Sequence, residues 1–234
     1  MLELSFASYL LFVLPFLSLR RSLKPAPTVR APLLRRYWRQ GRHAALLLAV
    51  LAGVEWHAGR SLGDLGLGVP LSSSGRSGLI AAACLIVGLH VAGMAWERFM
   101  TPAAREAQRR KLADASLPWP DTTAESVAFV LSTSLMCAGW EVLYRGFLLL
   151  VLAPHVGLPL AVAAAALAYG VAHGYKSRGQ LIGSIVAAFA FTVAYAWTHS
   201  LWWLMAIHVA MPLSVLASVR KARRAYGVVA PEQS

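Results

Sequence analysis

The sequence predicts an all-α membrane protein with about seven transmembrane helices in one bundle, on three observations. Hydrophobic residues make up 58% of the 234-residue chain and charged residues 14%, with a mean hydropathy of +0.58, a mix unlike that of a soluble domain. Apolar runs near the ~20 residues needed to cross a ~30 Å hydrocarbon core recur along the chain. Lys and Arg collect between these runs rather than along one face, so the formal charge of +12 reads as topology information, and no nucleic-acid partner is expected.

Taken in order, the runs cover residues 2–19, 44–59, 79–96, 124–152, 158–173, 180–197 and 201–219. The first lacks a basic segment before it and a small-residue cleavage site after it, so it is expected to stay as a span. The second and fifth are short. After the second comes Gly63-Asp64-Leu65-Gly66-Leu67-Gly68-Val69-Pro70, a glycine-punctuated connector. Residues 103–115 can form a surface helix, ended by Pro118-Trp119-Pro120. Thr122 with Glu125 has capping-box spacing, so the fourth helix starts near Thr122. Carried through to residue 152 it is roughly 45 Å long and must tilt, bend or extend beyond the membrane, with Gly139 and Gly146 as expected bends. Cys84 and Cys137 both lie in apolar runs and read as packing residues.

Loop charge alternates. One set of loops carries Arg20, Arg21, Lys24, Arg30, Arg35, Arg36, Arg39 and Arg42, then Arg98, Arg105, Arg109, Arg110 and Lys111, then Lys176 and Arg178, then Arg220, Lys221, Arg223 and Arg224. The intervening loops hold Arg60 and Arg76. Basic residues accumulate on the cytoplasmic side, so the expectation is an inner-membrane protein with its N-terminus outside and its C-terminus cytoplasmic. The arginine-rich stretch 20–43, with Tyr37 and Trp38, is either a topology determinant or an attachment to anionic lipid head groups.

Polar residues inside the apolar runs are the functional candidates. Glu141 and Arg145 are one helical turn apart and share a face, so they can pair. The pair either fastens helices or forms a site in which a carboxylate polarises water and a guanidinium orients it. His173 closes Tyr169-Gly170-Val171-Ala172-His173, with Tyr169 on the same face. His208 follows seven apolar residues, a depth that calls for a partner. Two imidazoles and a carboxylate on three helices can activate a water directly or hold a divalent metal such as zinc through His173, His208 and Glu141. Glu55, His57 and His90 are weaker candidates. Trp96, Trp197, Trp202 and Trp203 fit an interfacial aromatic belt.

The order of these pieces resembles the CAAX-protease and bacteriocin-processing (CPBP, Abi) family of intramembrane proteases. Its members carry EExxxR, FxxxH and HxxxN or HxxxD on successive helices. Trp140-Glu141-Val142-Leu143-Tyr144-Arg145 looks like the first motif, Tyr169 to His173 the second and His208 to Pro212 the third. The resemblance implies an endopeptidase acting on a peptide or protein at the membrane. It assigns water activation to the first glutamate with the FxxxH histidine, and the oxyanion to the later histidine with the Asn. By that transfer His173 and His208 keep their roles, but Trp140 stands where the first glutamate is expected and Pro212 where the Asn is. Glu141 takes over if the helix rotates by about 100°, which would loosen its pairing with Arg145. The alternative is an inactive relative that serves as a membrane scaffold or immunity-type binding protein. The expected organisation is a three-span region at 1–117, a motif-bearing core at 118–219 and a basic tail at 220–234.

A reporter fused after Ser234 is expected to be active on the cytoplasmic side; periplasmic activity would reverse the assigned topology.

Overall fold

A computed structural model describes residues 1–24, 32–114, 119–175 and 177–227. Arg30, Lys176, the Pro25-Ala26-Pro27 stretch, Pro118 and the tail beyond Gly227 lie outside the described residues. The described chain is helical throughout, without strands. We number the helices α1 (Leu2–Ser22), α2 (Leu33–Ala58), α3 (Ser73–Phe99), α4 (Pro102–Ala113), α5 (Thr123–Val156), α6 (Leu158–Ala172), α7 (Arg178–Thr198) and α8 (Trp202–Ala225). Each of the seven expected runs is a helix. Five of them, α1, α3, α5, α7 and α8, are long and apolar enough to cross a membrane. The others depart for different reasons: α2 has 26 residues but a basic first half, and α6 is apolar but has 15 residues. The protein is a multi-pass membrane protein.

Burial ranks the helices. In the most apolar window of α5, 67% of residues are buried inside the protein, against 6% in α3. So α5 is the central post and α3 turns its side chains outward, Cys84 among them. The ends of α5 are defined by local chemistry. Thr122 and Glu125 form the reciprocal capping box, and Gly157 at φ +78° closes the other end. Between these ends the helix is interrupted by a π-helical segment, Val142–Phe147, in which Leu148 N–H reaches back to the Leu143 carbonyl. This is the irregularity that an overlong helix calls for. It starts immediately after Glu141 and includes Gly146, whereas Gly139 stays in regular helix beside Leu48.

The connector between α2 and α3 is compact. Ser61 donates its N–H and its hydroxyl to Asp64 Oδ2 at 2.7 and 2.9 Å, and these bonds hold the Asp64 carboxyl below the usual carboxylate range. The turn drives Leu65 into the core and lays its carbonyl on α5, so that a Cβ at Gly146 would stand 2.8 Å from Leu65 O. Gly66 at φ +77° packs under the Tyr195 ring, and its carbonyl accepts from Leu201 N–H at 2.9 Å. The turn before α8 is thereby tied to the connector.

A second, smaller cluster lies at the opposite end, where Tyr37, Phe129 and Leu216 pack together with Trp119. Beside it Arg223 is fully buried. It donates to the carbonyls of Trp119 and Asp114, both at 3.1 Å, and pairs with Asp121. Read from sequence as one of a run of tail charges, Arg223 belongs to the last turns of α8 and joins it to the segment between α4 and α5. Trp203 also departs from the expected aromatic belt: it is buried against Gly78 of α3, where a Cβ would meet its ring at 2.7 Å. Trp96 and Trp197 are exposed as expected.

Gly146→Ala should lower thermal stability in detergent by about 1–3 kcal/mol, because the clash is with backbone rather than a movable side chain. An unchanged melting profile would mean that the connector does not press on α5.

Candidate active site

The site forms where α5, α6, α7 and α8 meet. Glu141 ends the regular part of α5, Arg145 follows in the π segment, Tyr169 lies in the last turn of α6, His173 caps that helix and His208 lies in α8. Gly170 allows α7 to come close, since a Cβ there would meet Ile185 Cα at 2.8 Å. That approach brings Ser184, Ala187, Ala188 and Phe191 up as a wall. The result is a cavity of about 240 Å³ lined by Glu141, Arg145, Tyr169, His173, His208, Leu204, Ile207, Met211 and that wall.

Glu141 is the hub. Its Oε2 takes the Arg145 guanidinium, and its Oε1 takes His208 Nδ1 at 2.7 Å and the Tyr169 hydroxyl at 3.2 Å. The side chains of Glu141 and Arg145 are each 2% exposed and that of His208 21%. A buried carboxylate is strongly penalised unless its lone pairs are met, and here both oxygens are. Because a carboxylate only accepts, the proton sits on Nδ1 of His208, and Nε2 is the nitrogen that can take another. The Tyr169 hydroxyl is also 3.1 Å from Nδ1. The guanidinium lies over the Tyr169 ring at 4.5 Å, with the Phe191 ring at 5.8 Å. Arg145 is thus held by one carboxylate and two aromatic faces.

The structure brings Glu141, Arg145, His173 and His208 together and revises how they connect. Glu141 reaches His208 without giving up Arg145, because the two partners use different oxygens. The carboxylate bonds His208 rather than His173. His173 meets the group through rings, with centroids 5.7 Å from His208, 5.6 Å from Tyr169 and 6.4 Å from Trp140. Trp140 is stacked on Tyr144 at 5.1 Å, its ring 3° from parallel, and turns an edge to Tyr169.

Tyr169 is the residue that reading the sequence undervalued. As a replacement for Phe it looks mild, yet its hydroxyl is the third polar contact of the site. The available signal was a hydroxyl on the same helical face as His173. Of the weaker candidates, His57 and His90 are exposed, and Glu55 is buried on α2; none of the three lines the cavity. The zinc set His173, His208 and Glu141 does not assemble. Glu141 stands behind His208 as a partner of Nδ1, and among the described residues no three His, Cys, Asp or Glu side chains are grouped to hold a metal ion.

Residues 122–214 match a family model described as Rce1-like, type II CAAX prenyl endopeptidase. This stretch contains all three motifs that resemble the CAAX-protease family, and it starts at the cap of α5. No curated protein and no solved structure matches the chain.

Arg145→Leu should destabilise the protein by about 3–5 kcal/mol, because it strands a buried carboxylate. The double change Glu141→Leu, Arg145→Leu should recover most of that loss in detergent unfolding. Equal destabilisation by the single and double changes would mean that the two side chains are not energetically coupled.

Proposed function

We propose that this protein is an intramembrane endopeptidase of the CAAX-protease-like kind, cleaving a peptide near the membrane by Glu- and His-assisted attack of water. The observation that carries the reading is the Glu141 carboxylate hydrogen-bonded to His208 Nδ1 at the wall of a cavity inside the bundle. The carboxylate fixes the tautomer and orientation of the ring and favours its protonated form as it develops. Nε2 of His208 takes a proton from water as the oxygen adds to the peptide carbonyl. The imidazolium then gives that proton to the departing amine, so one water is consumed per bond cleaved. Arg145 pairs with Glu141 and aims it. His173, across the rings from His208, is the group left to face the oxyanion.

Compared with the assignment implied by the family resemblance, the two histidines exchange parts. The reason is geometric: with Trp140 in place of the first glutamate, the carboxylate that is present bonds His208 and not His173. A second reading rests on the same substitutions. With Trp140 in place of a glutamate and Pro212 in place of an oxyanion donor, the chain would serve as a non-catalytic membrane scaffold or immunity-type binding protein. The exposed Arg20, Arg21, Arg35, Arg39 and Arg42 support attachment to anionic head groups, each worth about 1 kcal/mol near such a surface.

Purified protein should cleave members of a peptide library. Glu141→Ala and His208→Ala should each lower kcat by about 10²–10⁴ and His173→Ala by about 10²–10³, with KM little changed. Absence of cleavage by the unmodified protein, with partner binding unaltered by the same substitutions, would favour the scaffold reading.

A further inference from the structure

The N-terminal helix α1 lies outside the stretch that matches the family model, and it contributes no side chain to the cavity. It nevertheless makes three hydrogen bonds to the elements around His173. Ser18 donates its hydroxyl to the carbonyl of Ala172 at 2.9 Å. The hydroxyl of Ser22 accepts from Tyr175 N–H at 3.2 Å. These two bonds bracket His173 on either side, at the point where α6 ends and Gly174 turns the chain at φ +78°.

The third bond explains an irregularity in α1. Residues Tyr9–Val13 are π-helical, and Leu14 N–H goes to the Tyr9 carbonyl. The Leu10 carbonyl therefore loses its α-helical donor, and its π-helical donor would be residue 15, a proline with no N–H. A buried orphan carbonyl is costly. It is met by the Tyr144 hydroxyl at 3.1 Å, across 134 positions of sequence. Tyr144 is itself fully buried and carries the stacked Trp140 ring, whose plane lies 73° from that of His173 with centroids 6.4 Å apart. A π segment in α1 thus frees the acceptor, and the π segment of α5 holds the donor.

We propose that α1 is the positioning element for His173, with Ser18 and Ser22 of α1 and Tyr144 of α5, held by the Leu10 carbonyl, as the positioning residues. Two hydroxyls set the backbone that carries the imidazole. A third sets the aromatic wall against which the imidazole packs. Among the described residues His173 makes no hydrogen bond to another side chain, so its placement depends on this backbone and ring support. The part His173 takes in the reaction rests on the endopeptidase reading above; its placement by α1 is measured separately from cleavage.

The test is carbethoxylation of the full-length protein in detergent with diethyl pyrocarbonate, resolved for His173 and His208 by mass spectrometry. Ser18→Ala with Ser22→Ala, and separately Tyr144→Phe, should change the His173 rate relative to His208 by about fivefold, the scale of one net hydrogen bond. Ser18→Thr with Ser22→Thr keeps both hydroxyls and should restore the original ratio. Ser8→Ala is the control on the same helix, since the Ser8 hydroxyl bonds the Leu4 carbonyl of its own helix at 2.8 Å; the ratio should stay within about twofold of the original there. An unchanged ratio in both test variants, or an equal change in Ser8→Ala, overturns the proposal. If a cleavable peptide is found, the Ser18→Ala, Ser22→Ala protein should lose kcat at constant KM. A changed labelling ratio in a protein that cleaves nothing leaves the positioning role standing and counts against the endopeptidase reading alone.

Discussion

One carboxylate serves two cationic or potentially cationic partners. Glu141 is buried in a bundle whose surroundings solvate charge poorly, so each of its oxygens must be met by a donor, and the donors come from three directions. Arg145 approaches along its own helix, His208 from α8 and Tyr169 from α6. The consequence is mutual dependence. The placement of α6 and α8 against α5 determines whether the charge is compensated, and the charge in turn rewards only that placement.

Three residues that differ from the motifs the chain resembles, Trp140, Tyr169 and Pro212, lie on the helices that carry the site. The Trp140 ring stacks on Tyr144 and lies 6.4 Å from the His173 ring. Tyr169 adds a hydroxyl that supports the remaining carboxylate. Pro212 lies within α8, four residues after His208. Lacking an N–H, it cannot make the helical bond to the His208 carbonyl, and its side chain has no hydrogen-bond donor. The polar contacts of Glu141 run to Arg145, His208 and Tyr169, while His173 meets the group through rings.

The regions outside the family match act on the site through packing rather than chemistry. The connector before α3 presses its Leu65 carbonyl onto Gly146, one residue past Arg145. Helix α1 runs along α6 and closes on its C-terminal end. At the far end the Arg223 bonds join α8 to the segment preceding α5. At two of the three contacts a side chain meets backbone carbonyls, Ser18 that of Ala172 and Arg223 those of Trp119 and Asp114, and the third presses a carbonyl against a glycine.

Much of the fold was legible in the sequence, because hydrocarbon length and the alternation of basic loops depend on local composition. Every expected run is a helix, the capping box at Thr122 and Glu125 is present, and the overlong fourth helix carries an irregularity. The pairing of Glu141 with Arg145 was legible too, since four residues on one helix set that distance. Tertiary structure alone decided which histidine the carboxylate serves, that Tyr169 joins it, that His173 is held by rings and by α1, and that Arg223 and Trp203 are buried. Each of these depends on how one helix is rotated and set at depth against another. That is fixed by close approaches at Gly78, Gly146 and Gly170 and by orphan backbone groups seeking donors, none of which leaves a periodic trace in a single sequence.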